Sequence, residues 1–247
     1  MLLVDIGNSQ IKSALVEGDN WSIWPTIATR SDDPFSQWPV QPGSTAPPSR
    51  VLLSNVAGRD VEQQLGCYVN RHWGVDVEVV KPQRSMAGFS TIYDDPARLG
   101  VDRWLAAMAA WKQTGGAVCV IDAGTALTVD IVNAAGCHQG GLIAPGLEMM
   151  RTSLTRGTAQ LHSTGIAAVE GFATNTVDAI SLGCTSAVRG LLADARAISA
   201  AGPGGETPTW FLTGGAAPEI ARLLPVPHQY EPQLVLSGLL IAGRHMT

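Results

Sequence analysis

Charge is scarce in this 247-residue chain, at 15% of residues, and it is nowhere concentrated. The net charge is −5, and no Lys/Arg cluster interrupts it. That argues against nucleic acid or an anionic membrane surface as the main partner. Cysteine is sparse as well. Cys67, Cys119, Cys137 and Cys184 form no CxxC pair, and no histidine stands at zinc-finger spacing to them. They read as small buried residues in a reducing cytosol, so neither a disulfide framework nor a cysteine metal site is expected. No apolar run reaches membrane-spanning length, and the first residues lack the charged start and cleavage site of a signal peptide. A cytoplasmic protein is the expectation. The 45% of hydrophobic residues suffices for one large domain or two small ones.

What is present is a repeated design. Residues 117–132, AVCVIDAGTALTVDIV, hold an apolar run that ends in Asp122, then Ala123-Gly124-Thr125. A second run follows, with Leu127, Val129 and Ile131 alternating with polar residues. This predicts a strand, a tight glycine turn and a returning strand. The first residues, MLLVDIGNSQIKSALV, repeat it: Leu2 to Val4, then Asp5, then Ile6-Gly7-Asn8-Ser9, then Ile11, Ala14 and Leu15. Asp5 and Asp122 thus head equivalent turns, 117 residues apart, which reads as an internal duplication at domain scale. In such a turn a carboxylate lies beside exposed backbone N–H groups. Glycine permits close approach, the N–H groups form an anion nest, and the carboxylate can hold a cation or its water. Ordinary hairpin chemistry also explains a single copy. Two copies with matched flanks favour a phosphate clamp.

Between and after these turns, strands alternate with helices, which predicts an α/β fold. Strands are expected at 21–24, 51–56, 75–80 and 209–212. Helices are expected at 60–73, 99–112, 148–162, near 176–198, at 218–224 and at 232–245. Residues 30–49 and 200–208 read as loops, with Trp38 as a packing anchor. Tyr93-Asp94-Asp95-Pro96 is a turn before the 99–112 helix, and Asp102 and Arg103 stand near that helix's start. On composition alone Asp102 is a helix-start acid favouring the dipole, and Arg103 a solvated neighbour. Thr174 or Asn175 can cap the next helix. Thr213-Gly214-Gly215 joins a strand to a helix, a unit that can lay backbone against a flat ring or a phosphate.

The order of Asp-turn hairpin, second Asp-turn hairpin and strand–GG–helix resembles the acetate/sugar kinase, Hsp70 and actin superfamily. Within it the chain resembles the type III pantothenate kinases. The matches are Asp5 to Ser9 with Lys12, and Tyr93 with Pro96 and Leu99-Gly100-Val101-Asp102-Arg103. They continue with Asp122 to Ala126 with Thr128 and Asp130, Gly140-Gly141 with Pro145-Gly146, Asn175-Thr176, and Thr213-Gly214-Gly215. The G-x-D-R element after Tyr-x-x-Pro is the specific one. The chain departs from the family at Ser9, where Thr is frequent, and at Asp95, where Asn is usual. It also lacks a Leu-Pro pair in the helix after Gly146.

The resemblance implies two ribonuclease-H-like halves, 1–114 and 115–247, with a nucleotide cleft between them and the last helix free to pack back on the first half. It implies ATP-dependent phosphorylation of pantothenate to 4′-phosphopantothenate, the first step of coenzyme A synthesis, by a homodimer. Carried over residue by residue, Asp5, Ile6, Gly7, Asn8, Ser9, Gln10, Ile11 and Lys12 would form the ATP phosphate loop, with Asp5 organising magnesium. Thr125 would contact ATP. Asp122 would hold a monovalent cation, potassium or ammonium. Tyr93, Gly100, Val101, Asp102, Arg103 and Thr176 would line the pantothenate pocket, with Asp102 as general base. Arg103 could pair the substrate carboxylate or enter an intramolecular salt bridge. Two other readings compete: a non-enzymatic regulatory accessory factor that keeps the fold, and another enzyme of the superfamily such as a sugar kinase or polyphosphate phosphatase.

Overall fold

The first strand, β1 (Leu2–Ile6), is apolar on both faces and is buried between two neighbours. It pairs antiparallel with β2 (Gln10–Glu17) and parallel with β5 (Val51–Asn55). β2 also carries β3 (Asn20–Ile23) and the two-residue β4 (Ile27–Ala28), and β5 carries β6 (Val77–Val79). The computed structural model describes residues 1–31, 33–36, 38, 47–155, 171–200, 207–224 and 226–246. Two compact units result: Met1–Ala109 with Gln233–Thr247, and Ala110–Pro232.

In the first unit, α1 (Arg59–Trp73) buries Val61, Leu65 and Val69 on the face of β1 that shows Leu2, Val4 and Ile6. His72, at helical spacing to Val61, Leu65 and Val69, is nonetheless exposed. Trp24, Phe35 and Trp38 close the same core with edge-on ring contacts, so Trp38 is the packing anchor expected of it. A helix near the chain end, α6 (Leu234–His245), packs on β1 and β5. Gly243 lies against Leu52, and Gly238 lies against the backbone of Leu105 in α2 (Val101–Thr114). α2 is buried on all sides from Arg103 to Ala110, not along one stripe, which is how a helix that is apolar all round behaves. A short hairpin, β7 (Ser85–Met86) and β8 (Phe89–Thr91), precedes it.

The second unit is built on β9 (Val118–Ala123), β10 (Ala126–Val132) and β11 (Cys137–Pro145), each antiparallel to the next. The stretch of β11 reads from sequence as a glycine pair and a Pro-Gly turn, yet it is a nine-residue strand. Parallel to β9 runs β12 (Thr209–Thr213), with β13 (Gln229–Tyr230) beyond it. The odd-numbered residues of β9 and β10, such as Ile121 and Val129, pack on three helices. These are α3 (Leu147–Thr155), α4 (Thr176–Ala200) and α5 (Ala217–Ile220). Residues 156–162 of the expected helix and 201–206 of the expected loop lie outside the described residues, as do 32, 37 and 39–46. α5 is shorter than the expected 218–224 helix. The cysteines are free, but only Cys119 and Cys184 are buried; Cys67 is exposed and Cys137 half-buried, which corrects the expectation for those two. Burial, reinforced by the charge of Asp130, pushes the Cys119 thiol well above its ordinary range.

Candidate functional site

Asp5 sits at the end of β1, in register with Lys12 of β2 on one side and Ser54 of β5 on the other. The fully buried Ser54 donates its hydroxyl to Asp5 Oδ1 at 2.9 Å, which fixes the carboxylate at the strand's mouth. The turn then closes with the Gly7 N–H on the Gln10 carbonyl, 3.0 Å. Asn8, Ser9 and Gln10 are exposed, Gly7 and Lys12 half-exposed. Ile6 and Ile11 point into the core, which leaves their backbone to face any ligand. The loop is buttressed from β4: Thr29 donates its hydroxyl to the Gly7 carbonyl (2.7 Å) and its N–H to the Ser9 carbonyl (3.1 Å). A small cavity of about 210 Å³ opens beside it, lined by Asn8, Thr29 and Arg30 among others.

Asp122 sits equivalently at the end of β9, in register with Thr128 of β10 and Thr213 of β12. Here two further turns close on the loop. The Gly146 N–H donates to the Thr125 carbonyl at 2.9 Å, and the Ala216 N–H to the Ala123 carbonyl at 2.8 Å. Gly214 has φ +92°, and a Cβ there would fall 2.5 Å from Asp122 Oδ1 and from the Ala123 backbone. A Cβ at Gly146 would strike the carbonyls of Gly124 and Thr125. Both positions therefore require glycine. The Thr128 hydroxyl, directly across from Asp122, is buried without a hydrogen-bond partner. Carboxylate and hydroxyl together form an oxygen-donor set suited to a hard cation. Further along the same strand, buried Asp130 holds His138 Nε2 at 2.7 Å. Thr125 itself is exposed at the turn.

The 93–103 segment forms a third group. A 3₁₀ turn at Pro96–Arg98 is capped by Asp95, whose Oδ1 accepts the Ala97 N–H at 3.0 Å. Asp95 is therefore occupied by a local structural bond. A Cβ at Gly100, just before α2, would lie 2.6 Å from Asp102 Oδ1, so a side chain there would push the carboxylate aside. Asp102 folds back over it and accepts the Arg103 N–H at 2.8 Å. The buried Arg103 guanidinium donates Nη1–H to the Tyr93 hydroxyl at 3.3 Å. The G-x-D-R spacing thus places a half-buried carboxylate, a cation and a phenol in one constellation, while Val101 points into the core.

A family model described as type III pantothenate kinase matches residues 1–197. The chain belongs to the type III pantothenate kinase family. A type III pantothenate kinase of Nitrosomonas eutropha is 33% identical over 99% of this chain and 94% of its own length. A Campylobacter jejuni structure labelled a Baf family transcriptional activator is similar at TM-score 0.64 and 24% identity, covering 97% of this chain and 96% of that one. MreB 5 of Spiroplasma citri, solved with AMPPNP, shares the fold at TM-score 0.51 and 10% identity, over 98% of this chain and 95% of that one. The type III pantothenate kinase family is thus shown by sequence, and the mixed α/β fold with two sheets agrees with it.

Within the first unit the structure brings Asp5, Lys12 and Ser54 together, and separately Tyr93, Gly100, Asp102 and Arg103. Within the second it brings Asp122 and Thr125 together with Gly146 and Gly214. Thr176 is exposed at the first turn of α4, beside Asn175, whose Oδ1 accepts the Asp178 N–H at 2.9 Å as the helix cap. The sequence reading missed Ser54 and Thr29. Neither belongs to a motif. The one available signal was Ser54 as a polar residue inside the apolar run 51–56.

Proposed function

We propose that this chain transfers the γ-phosphoryl group of ATP to the primary hydroxyl of pantothenate, with Asp102 accepting the hydroxyl proton. The observation that carries the reading is the 93–103 constellation, in a chain of the type III pantothenate kinase family. Gly100 excludes any side chain that would displace the Asp102 carboxylate. The Arg103 N–H holds it in place at 2.8 Å. A positioned carboxylate within reach of a primary hydroxyl can take its proton as the oxygen attacks phosphorus. Arg103 and Tyr93 would meet the pantothenate carboxylate and amide, and Thr176 would add a further contact. The product, 4′-phosphopantothenate, opens coenzyme A synthesis.

Residues 5–12 and Thr125 would contact ATP. Among the described residues no cluster of three or more His, Cys, Asp or Glu could hold a metal ion by itself. Magnesium fits this chain nonetheless, because it is usually held by one or two carboxylates together with substrate phosphates. Asp5 would be that carboxylate, and magnesium would neutralise charge on the transferring phosphoryl group. Asp122 and the Thr128 hydroxyl would hold a monovalent cation, potassium or ammonium. The two halves are read as 1–114 and 115–247, and the working form as a cytoplasmic homodimer. No helix among the described residues is long and apolar enough to cross a membrane.

The test is ADP release with pantothenate, in potassium and in its absence. Potassium-dependent turnover is expected, and no turnover in either condition would sink the reading. Asp102→Asn is expected to lower kcat by roughly 10²–10⁴, the range for a positioned acid–base group. A near-normal rate would remove Asp102 from the mechanism.

A further inference from the structure

Two helices begin where the two glycine turns of the second unit end. α3 follows Gly146 directly, and α5 follows the Gly214 turn. Arg151, one turn into α3, and Glu219 of α5 are joined in a forked ion pair, Nη2 to Oε1 at 2.5 Å and Nη1 to Oε2 at 3.4 Å. Arg151 is 3% exposed. Its second acidic neighbour, Glu148, is 4.0 Å away and largely in solvent, so it contributes little. Neither residue belongs to the motifs described above.

We propose that Arg151 and Glu219 are positioning residues for the nucleotide: they hold the Gly146 and Gly214 turns at one fixed separation around the Asp122–Thr125 loop. The inference rests on the assignment of that loop to ATP and the monovalent cation. Each turn touches the loop through one backbone hydrogen bond, Gly146 to Thr125 and Ala216 to Ala123. Each approaches so closely that a methyl group is excluded. A loop gripped this tightly follows its two carriers when they move. The ion pair is what ties those carriers, α3 and α5, to each other across 68 residues of sequence. When Glu219 is lost, this deeply buried guanidinium is left with Glu148, 4.0 Å away and largely in solvent. Losing the Glu219 charge leaves the buried guanidinium poorly paired, which favours a shift of the helices that brings it to Glu148 or to water. The shift would reach the Thr125 carbonyl and the Asp122 carboxylate, and leave the 93–103 constellation alone.

The experiment is steady-state kinetics on Glu219→Gln, Arg151→Met and Arg151→Lys, varying ATP and pantothenate separately. Gly146→Ala, which strikes the loop directly, is run beside them. The expected result for Glu219→Gln and Arg151→Met is a KM for ATP raised about 3- to 30-fold, the range for substitutions that act on a site without touching its ligand. The KM for pantothenate should stay within about twofold, and Arg151→Lys should recover part of the loss because it keeps the charge. The Glu219→Gln variant keeps volume and a hydrogen-bond acceptor, so it stays folded if Arg151→Met does not. If Gly146→Ala leaves the ATP KM unmoved, the assignment of the loop to ATP fails. If Gly146→Ala raises it while the Glu219 and Arg151 variants change both KM values equally or neither, the positioning role is overturned and the pair is only structural.

Discussion

The Asp5 loop and the Asp122 loop share one topology and differ in what surrounds them. Each caps a strand that pairs antiparallel with the next strand and parallel with a later one. In register, Asp5 is flanked by Lys12 and Ser54, and Asp122 by Thr128 and Thr213. The first loop therefore carries a cation beside its carboxylate and leaves residues 8–10 exposed. The second has hydroxyls beside its carboxylate and is clasped by two glycine turns. A duplicated hairpin can thus keep its strand pairing and diverge in chemistry through the two residues across from its Asp. A lysine beside a carboxylate suits phosphates and their divalent ion. Hydroxyls beside a carboxylate, in a rigid clasp, suit a smaller charge.

Substituting the two aspartates tests this division most forcefully. Asp5→Asn should lower kcat about 10²–10³-fold with the potassium dependence unchanged, the scale for losing one electrostatic group at a transferring phosphoryl. Asp122→Asn should instead raise the half-saturating potassium concentration about 10- to 100-fold. Rate measurements across magnesium and potassium titrations decide it, and interchangeable phenotypes would dissolve the distinction. The clasp itself is tested by a methyl group. Gly214→Ala should cost about 1–3 kcal/mol in a urea melt, from positive φ and overlap with Asp122. Gly7→Ala, where the new carbon meets only the Gln10 carbonyl at 3.2 Å, should cost less than about 1 kcal/mol.

The smallest effect concerns the two forked Arg–Glu pairs. Arg50 and Glu78 of the first unit pair at 2.6 Å, each about one-third exposed, and the hydrogen bonds from Arg50 hold Glu78 below its ordinary range. A depressed carboxylate stabilises the fold above its unfolded pKa, and that contribution disappears as pH falls through the folded value. Because water screens this pair, Glu78→Gln should cost less than about 1 kcal/mol at pH 7 and less still near pH 3. Melting temperatures of wild type and variant at both pH values check this. A larger cost at pH 7 would erase the contrast between this pair, exposed on both sides, and the Arg151–Glu219 pair, in which only the guanidinium is buried.

Both Asp hairpins, α1 and the start of α2 were legible because period and turn chemistry are local signals. β11 was not, because it opens on polar residues, two of its residues are adjacent glycines, and from Gly141 on it alternates between exposed and half-buried, so no apolar run marks it. The β7–β8 hairpin turns on Ala87-Gly88, both at positive φ, and Ala is a poor advertisement for such a turn. The G-x-D-R element was legible as a motif, but the reason for its glycine was not. It lies in a contact between Gly100 and Asp102 that depends on the side chain folding backward. Thr29 under the first loop, and Arg151 with Glu219 beneath the second, are contacts between residues 20 or more positions apart. No window of the sequence contains both partners.

α6 carries a consequence for the order of events during synthesis. The second unit, Ala110–Pro232, is one continuous stretch, whereas the first needs Gln233–Thr247 to complete it. Gly243 packs against Leu52 and Gly238 against Leu105, contacts that form only once α6 is made. On the ribosome, then, the half made second can finish first. The half made first must wait, with β1 and β5 uncovered on one face, until the last helix emerges. That interval is when this chain is most exposed to misassociation.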